Sequence, residues 1–193
     1  MAVAVVVVLS GCAAADGDSD VRVDPSTSQV IVESQADPWE LPLEERPELF
    51  DPCAEIPVEA VAEAVGTPLE SAENLRNHEP NELISCGWRN SEVLLGVVGT
   101  WRTKNAFVTD TGLENIDSQT TVDGRPSVRA RDRGDQFRTT CYQVFFTSRG
   151  AVVVNVNLID SLGKFAGQEF SDACVVLNKT IDPILPFLPQ GDF

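Results

Sequence analysis

Residues 141–158 read CYQVFFTSRGAVVVNVNL, two runs of β-forming side chains on either side of Arg149-Gly150. The first run, Cys141 to Ser148, predicts a strand; Arg149-Gly150 turns it, and Ala151 to Leu158 returns beside it. Val152, Val153 and Val154 make the return apolar on both faces at its start, the pattern of a strand at the centre of a sheet.

The flanking sequence repeats this theme. Upstream, Asp123-Gly124 stands between Thr121-Val122 and Ser127 to Arg131, and Asp-Gly between β-forming runs is a strong hairpin signal. Further upstream, Leu83 to Arg89 and Val93 to Trp101 form another strand pair around the turn Asn90-Ser91. Cys86 and Trp88 are two apart and so share a side of their strand, where a disulfide beside an indole makes a packing unit. Lys104 to Ile116 has the character of a short helix, weakened by Thr109, Asp110 and Gly112. Two helices bracket the strands. Pro57 suits a first helical turn, Val58, Val61, Ala62 and Val65 fall on one face, and Gly66 follows as a C-cap. Phe165 to Ile184 carries Phe165, Phe170, Ala173, Val176, Leu177 and Ile181 at helical spacing, with Pro183, Pro186 and Pro189 ending it. The sequence therefore predicts an α+β domain. A short N-terminal helix and a longer C-terminal helix pack on an antiparallel β-sheet, and two disulfides hold the assembly.

The N-terminus sets the compartment. An apolar run, Ala2 through Leu9, leads into Ser10-Gly11-Cys12. Lipoprotein signal peptidase needs this order: an apolar segment in the bilayer, small side chains at the cut, and a thiol that receives a diacylglycerol. Eight apolar residues rise only ~12 Å, against the ~20 residues that span a bilayer, so the run fits a signal-peptide core and not a membrane-spanning helix. No Lys or Arg precedes it, which departs from the usual basic n-region and points to a start further upstream. The division expected is a signal peptide at 1–11, a flexible acidic tether at 12–50 and one domain at 51–189. In the tether Asp16, Asp18, Asp20, Asp24, Glu33 and Asp37 are scattered among Ser, Thr, Gln and Pro. Such a stretch buries too little surface to offset its ordering entropy, and as a coil of ~38 residues it spans ~35 Å. Trp39, Leu41, Leu43, Leu49 and Phe50 mark where contact with the domain begins.

With Cys12 lipidated, four cysteines remain: Cys53, Cys86, Cys141 and Cys174. An even number in an exported chain reads as disulfides, and three connectivities are open. Pairing each half of the domain locally gives Cys53–Cys86 and Cys141–Cys174. A metal site is disfavoured, because no Cys-x-x-Cys spacing occurs and the single histidine, His78, has no partner motif.

Charge and motifs narrow the function classes. The 193 residues carry 30 acidic and 14 basic side chains, a net charge of −16, which argues against nucleic acid and against broad docking onto anionic headgroups. The membrane attachment expected is the lipid on Cys12. No nucleophile elbow, phosphate loop, dinucleotide fingerprint or zinc motif appears, so no cofactor, metal or catalytic residue is expected. One constellation rises above background: Arg125, Arg129, Arg131, Arg133 and Arg138. On a strand, Arg129, Arg131 and Arg133 share a face while Val128 and Ala130 point to the core. A guanidinium fork suits phosphate and carboxylate, so Arg125, Arg129, Arg131 and Arg133 form a candidate anion-binding strip. The alternative is a solvated face neutralised by Asp123, Asp132 and Asp135.

Taken in order, these features are the lipobox, the acidic tether, Asp51-Pro52-Cys53 opening a short helix, Cys86-Gly87-Trp88, Val122-Asp123-Gly124-Arg125-Pro126, Cys141 in a strand and Cys174 in the last helix. Their sequence resembles a family of exported lipoproteins of mycobacteria, nocardiae and related actinobacteria, catalogued as a domain of unknown function (family 3558). The resemblance covers roughly residues 50–188 plus the anchor. It implies attachment of Cys12 to the outer face of the plasma membrane and disulfides Cys53–Cys86 and Cys141–Cys174, and it implies no activity. The function expected is a lipid-anchored extracytoplasmic binding or accessory module for an envelope ligand or a membrane protein. The alternatives are a cell-wall hydrolase using paired carboxylates and an extracellular sensor or scaffold. An intact mass under non-reducing conditions, four hydrogens below the fully reduced value, is the expected result; a full set of free thiols contradicts the disulfide framework.

Overall fold

The computed structural model describes residues 37–159 and 163–191. Cys12, the expected signal peptide and the first part of the expected tether lie outside the described residues.

The chain enters the domain through two short helices, α1 (Pro52–Glu55) and α2 (Val58–Val65). Asp51 caps α1 by accepting from the backbone N–H of Cys53 and Ala54. Pro57 precedes α2 and Gly66, at φ +83°, closes it, as the sequence predicts. The buried stripe is turned from the predicted one: Ala60, Val61, Ala64 and Val65 face inward, Ala62 is half-buried and Val58 is exposed.

Ten strands follow among the described residues, with two more helices. They are β1 (Glu70–Ser71), β2 (Asn77–Glu79), β3 (Leu83–Arg89), β4 (Val93–Thr100), α3 (Lys104–Val108), β5 (Leu113–Val122), β6 (Arg125–Asp132), β7 (Thr140–Thr147), β8 (Gly150–Leu158), β9 (Lys164–Phe165), β10 (Gln168–Glu169) and α4 (Ala173–Ile181). Eight strands make one antiparallel sheet in the order β1-β3-β4-β8-β7-β6-β5, with β2 also on β3; β9 and β10 form a separate small hairpin. The β5–β6 turn is Asp123-Gly124, both at positive φ (50° and 76°), as a two-residue hairpin turn requires. Strand β8 lies between β4 and β7, with Val152, Val154 and Val156 fully buried, so the predicted central strand is central. The β7–β8 turn falls one residue early, at Ser148-Arg149, because Thr147 pairs with Gly150. Gly150 has φ +92°, and a Cβ there would stand 2.8 Å from the Thr100 carbonyl oxygen.

Two predicted helices are shorter than their periodicity suggests. In place of one helix over Lys104–Ile116, α3 stops at Val108. The Asp110 carboxylate accepts from the Gly112 N–H and bends the chain into β5, a ten-residue edge strand. In place of one helix over Phe165–Ile184, Phe165 and Phe170 meet edge to face across the β9–β10 hairpin, their centroids 6.1 Å apart. Ala166 and Gly167 both take positive φ there, which no helix accommodates. Helix α4 starts only after Asp172, whose carboxylate accepts from the Cys174 N–H.

The sheet has two unequal faces. One carries Leu95, Val97, Cys141, Phe145, Val152, Val154 and Val156, and is closed by α2, α4 and the tail residues Ile184, Leu185 and Leu188. The disulfides are Cys53–Cys86, joining α1 to β3, and Cys141–Cys174, joining α4 to β7, with Cα separations of 5.3 and 5.0 Å. The opposite face carries Val128, Val144, Phe146, Ala151 and Val153, and is covered at one end by Phe107 of α3 and by Trp39. Trp39 donates from Nε1 to the Thr147 carbonyl and meets Trp101 edge-on at 5.1 Å. Leu49 and Phe50 are buried, and Arg149 holds them by donating to the Leu49 carbonyl and to the Glu55 carboxylate. The expected contact of Trp39, Leu49 and Phe50 with the domain is thus made, and packing runs upstream of Asp51. Among the described residues no helix is long and apolar enough to cross a membrane.

Both disulfides close a sequence separation of 33 residues. Loop-closure entropy then predicts that the Cys141→Ala/Cys174→Ala variant loses ~4 kcal/mol of unfolding free energy in a urea titration. A loss below ~1 kcal/mol contradicts the role given to this bond.

Candidate functional site

The arginines of β6 lie on the helix-covered face, alternating with Val128 and Ala130 on the other. Arg129 donates from Nε to Gln143 Oε1 (2.8 Å) and from Nη2 to Asn178 Oδ1 of α4 (2.6 Å). Burial lowers the pKa of Arg129 from its ordinary value, against the opposing pull of the Asp117 and Asp172 charges. Arg131, 9% exposed, donates to Asp172 Oδ2 at 3.3 Å, and Arg138 reaches the same oxygen at 3.3 Å. Asp172 thus caps α4 with one oxygen and takes two guanidinium groups on the other. Arg125 donates to the Pro189 carbonyl and lies over the Phe145 ring. Three of the four strip residues, Arg125, Arg129 and Arg131, therefore come together and clasp the C-terminal helix and tail to the sheet. Arg133 does not join them. Strand β6 ends at Asp132, and Arg133 turns away to the Thr111 and Leu113 carbonyls at 2.7 and 2.8 Å.

The opposite face of the sheet holds a different arrangement. Cross-strand register builds three rungs over β4, β8, β7 and β6. The first is Val98, Val153, Val144 and Val128; the second is Gly96, Asn155, Tyr142 and Ala130; the third is Leu94, Asn157 and Thr140. The first belongs to the small apolar core under α3 and Trp39. Gly96, Asn155 and Tyr142 of the second and Leu94 and Asn157 of the third open onto a groove of about 550 Å³, within the range of ligand sites.

Each wall and floor position has a local cause. On the β3 side the wall is the single turn Glu73–Leu75 leading into β2. It is drawn onto the sheet because Gly87 has no side chain: a Cβ there would stand 2.6 Å from Leu75 Cβ. Ser85 Oγ donates to the Leu75 carbonyl (2.7 Å) and the Ala72 N–H donates to the Gly87 carbonyl (2.9 Å), fixing the turn. On the floor, the Asn155 amide lies over Gly96, where a Cβ would come 2.4 Å from its Oδ1. Asn155 and Asn157 are both half-buried, and neither side-chain amide makes a hydrogen bond among the described residues. Tyr142 donates its hydroxyl to Asp132 Oδ1 (2.8 Å), which locks the ring beside them. Burial, then the Asp132 hydrogen bond and the charges of Asp132 and Asp135, push the Tyr142 pKa above the usual phenol range. None of the residues lining the groove is acidic, and Arg76, at the wall and 3.6 Å from Glu73, is its one charged group.

Other concavities lie elsewhere. A cleft of about 710 Å³ runs between the β5–β6 turn and the tail, lined by Asp123, Arg125, Asp182, Leu185, Pro186 and Gln190. Though larger, it is walled by the clasp just described. A recess of about 370 Å³ holds His78, whose Nδ1 is 3.8 Å from Asp51 Oδ2, beside the Cys53 end of a disulfide. Among the described residues no group of three or more His, Cys, Asp or Glu is placed to hold a metal ion.

The groove residues were not among the candidates of the sequence. The available signal was the alternation Val154-Asn155-Val156-Asn157, which puts two amides on one face of an otherwise apolar central strand.

The model of the family described as "Protein of unknown function (DUF3558)" matches residues 7–181, and the chain belongs to that family. No curated protein and no solved structure matches the chain.

Tyr142 is the single tyrosine of the chain, so absorbance at 295 nm reports it alone. Its raised folded pKa predicts no phenolate at the ordinary value of about 10 and a loss of stability as the pH rises above that value, because the unfolded chain ionises there first. Asp132→Asn should move the titration back toward the ordinary value; ionisation of the parent protein near pH 10 contradicts the locked ring.

Proposed function

We propose that this chain is an exported binding module, held to the outer face of the plasma membrane through lipid on Cys12, whose ligand lies in the groove above Asn155 and Asn157. The anchor rests on Leu9-Ser10-Gly11-Cys12 directly behind an apolar run, and the acidic stretch behind it serves as a stand-off from the membrane. The chain as a whole carries a net charge of −16, which disfavours anionic headgroups, so the lipid carries the attachment.

The observation that carries the binding site is the pair of partnerless amides. Both amides line the groove without a protein partner among the described residues, so their donors and acceptors are open to whatever fills it. Here two adjacent floor positions keep donors and acceptors available, inside a walled concavity and beside an immobilised aromatic ring. Binding fits this lining better than hydrolysis does. A carboxylate pair flanking a scissile bond needs two acids in the site, and the residues lining this groove supply none. The arginines of β6 serve the module indirectly, by keeping the far face of the sheet closed.

The test is twofold. Full chain recovered from its own type of envelope should carry a bound small molecule in native mass spectrometry, and Asn155→Leu/Asn157→Leu should come away without it. Cys12→Ser should move the chain from the membrane fraction to the soluble one. Equal ligand in parent and variant contradicts the groove, and membrane retention of Cys12→Ser contradicts the anchor.

A further inference from the structure

The chemistry of the lining narrows the ligand class, and this step rests on the groove being the binding site. We infer that the groove takes an uncharged glycan chain.

Three properties of the site converge. First, the free groups on the floor are amides. Each offers one carbonyl acceptor and two N–H donors, and each hydroxyl of a sugar is both donor and acceptor. Neighbouring hydroxyls on one ring therefore meet an amide with both of its ends. Asn155 and Asn157 repeat at the two-residue spacing of a strand, ~7 Å apart, so that successive hydroxyl pairs along a chain find successive amides. Second, apolar surface alternates with them. Leu94 stands beside Asn157 and Tyr142 beside Asn155 in the register, with Val98 at the next rung. A sugar ring has the same division into hydroxyl edges and C–H faces. Third, the site is neutral at its floor. An ionised ligand would lose hydration there without gaining a counter-charge, since Arg76 lies at the wall next to Glu73. Acidic glycans also meet the repulsion of a chain at −16.

The same properties disfavour the other uncharged polymer, an extended peptide. Peptides gain affinity on sheets by pairing their backbone with a strand edge. The strands forming this floor, β4, β8 and β7, are each paired on both sides, so the floor offers no edge, and of β2, which pairs only with β3, Asn77 alone reaches the groove. A purely apolar ligand would cover Asn155 and Asn157 and leave them unsatisfied.

The test is a titration of the full chain, ¹⁵N-labelled, observed at the side-chain amides of asparagine. The probes are neutral hexasaccharides of glucose, mannose, galactose and arabinose, an oligogalacturonate as the acidic glycan, and an uncharged peptide of similar length. The expected result is that at least one neutral hexasaccharide shifts the Asn155 and Asn157 signals while the oligogalacturonate does not. Asn155→Leu and Asn157→Leu should each weaken that binding by roughly tenfold, as loss of a ligand hydrogen bond does. Each variant's urea midpoint, compared with the parent's, separates lost binding from lost fold. If only the peptide or the oligogalacturonate shifts these signals, the glycan inference is overturned and the groove stands. If no probe shifts them, or if neutral glycans bind and shift only residues outside the groove, the glycan inference is overturned as well; glycan binding elsewhere also removes the groove.

Discussion

Helix α4 is fastened to the sheet at three levels, and the rest of the structure depends on that attachment. The Cys141–Cys174 disulfide ties it covalently to β7. Asp172 caps its first turn while accepting from Arg131 and Arg138. Val176, Leu177 and Ile181 then press on the valines of β8. A sheet whose central strand is apolar on both faces must cover both of them. This domain has helices enough to close one. The arginines of β6 are part of that closure: Arg129 links β6 to both Gln143 and Asn178, so the strand that carries the charges is also bolted to the helix above it.

The second face is closed by improvised means. Trp39 and its neighbours cross the apolar end beside Phe146 and Phe107, and the turn at Glu73–Leu75 descends onto Gly87 at the other side. Between these two covers the sheet stays open, and there the side chains change from valine to asparagine. The change occurs within a single strand, at Val153 to Asn155. The groove is therefore a consequence of partial coverage combined with a substitution of residue type where the cover stops. Glycines at 87 and 96 set its wall and its floor, because each leaves space that a neighbouring side chain occupies.

Much of this was legible in the sequence. The paired strands, the Asp123-Gly124 turn, the central valines and the pairing of four cysteines each rest on local chemistry that tertiary context did not override. The end of α2 at Gly66 is of the same kind. The failures have a common origin in periodicity read without backbone constraints. Phe165 and Phe170 keep helical spacing, yet they stack across a hairpin whose Ala166-Gly167 tip takes positive φ. Ile116 belongs to β5, whose Glu, Asn, Asp and Gln side chains suit an exposed edge and give no strand signal of their own. Arg129 and Arg131 share one face of a strand, as their alternation predicts. Which face, and that α4 lies over it, depends on contacts from 41 to 49 residues away, and no local pattern records those. The groove was missed for the reverse reason: its asparagines look like interruptions of a strand until the register places them side by side.

The central claim is that the amides of Asn155 and Asn157 are held for a ligand and add no hydrogen bond to the fold. Their amides have no partner to lose among the described residues, and valine has the higher strand propensity. The direct measurement is the urea unfolding free energy of Asn155→Val/Asn157→Val against the parent chain. The account predicts a variant as stable as the parent or more so, within ~1 kcal/mol on the unfavourable side, as surface substitutions without structural partners behave. A destabilisation of ~2 kcal/mol or more would show that the amides hold the sheet together, and would contradict the claim.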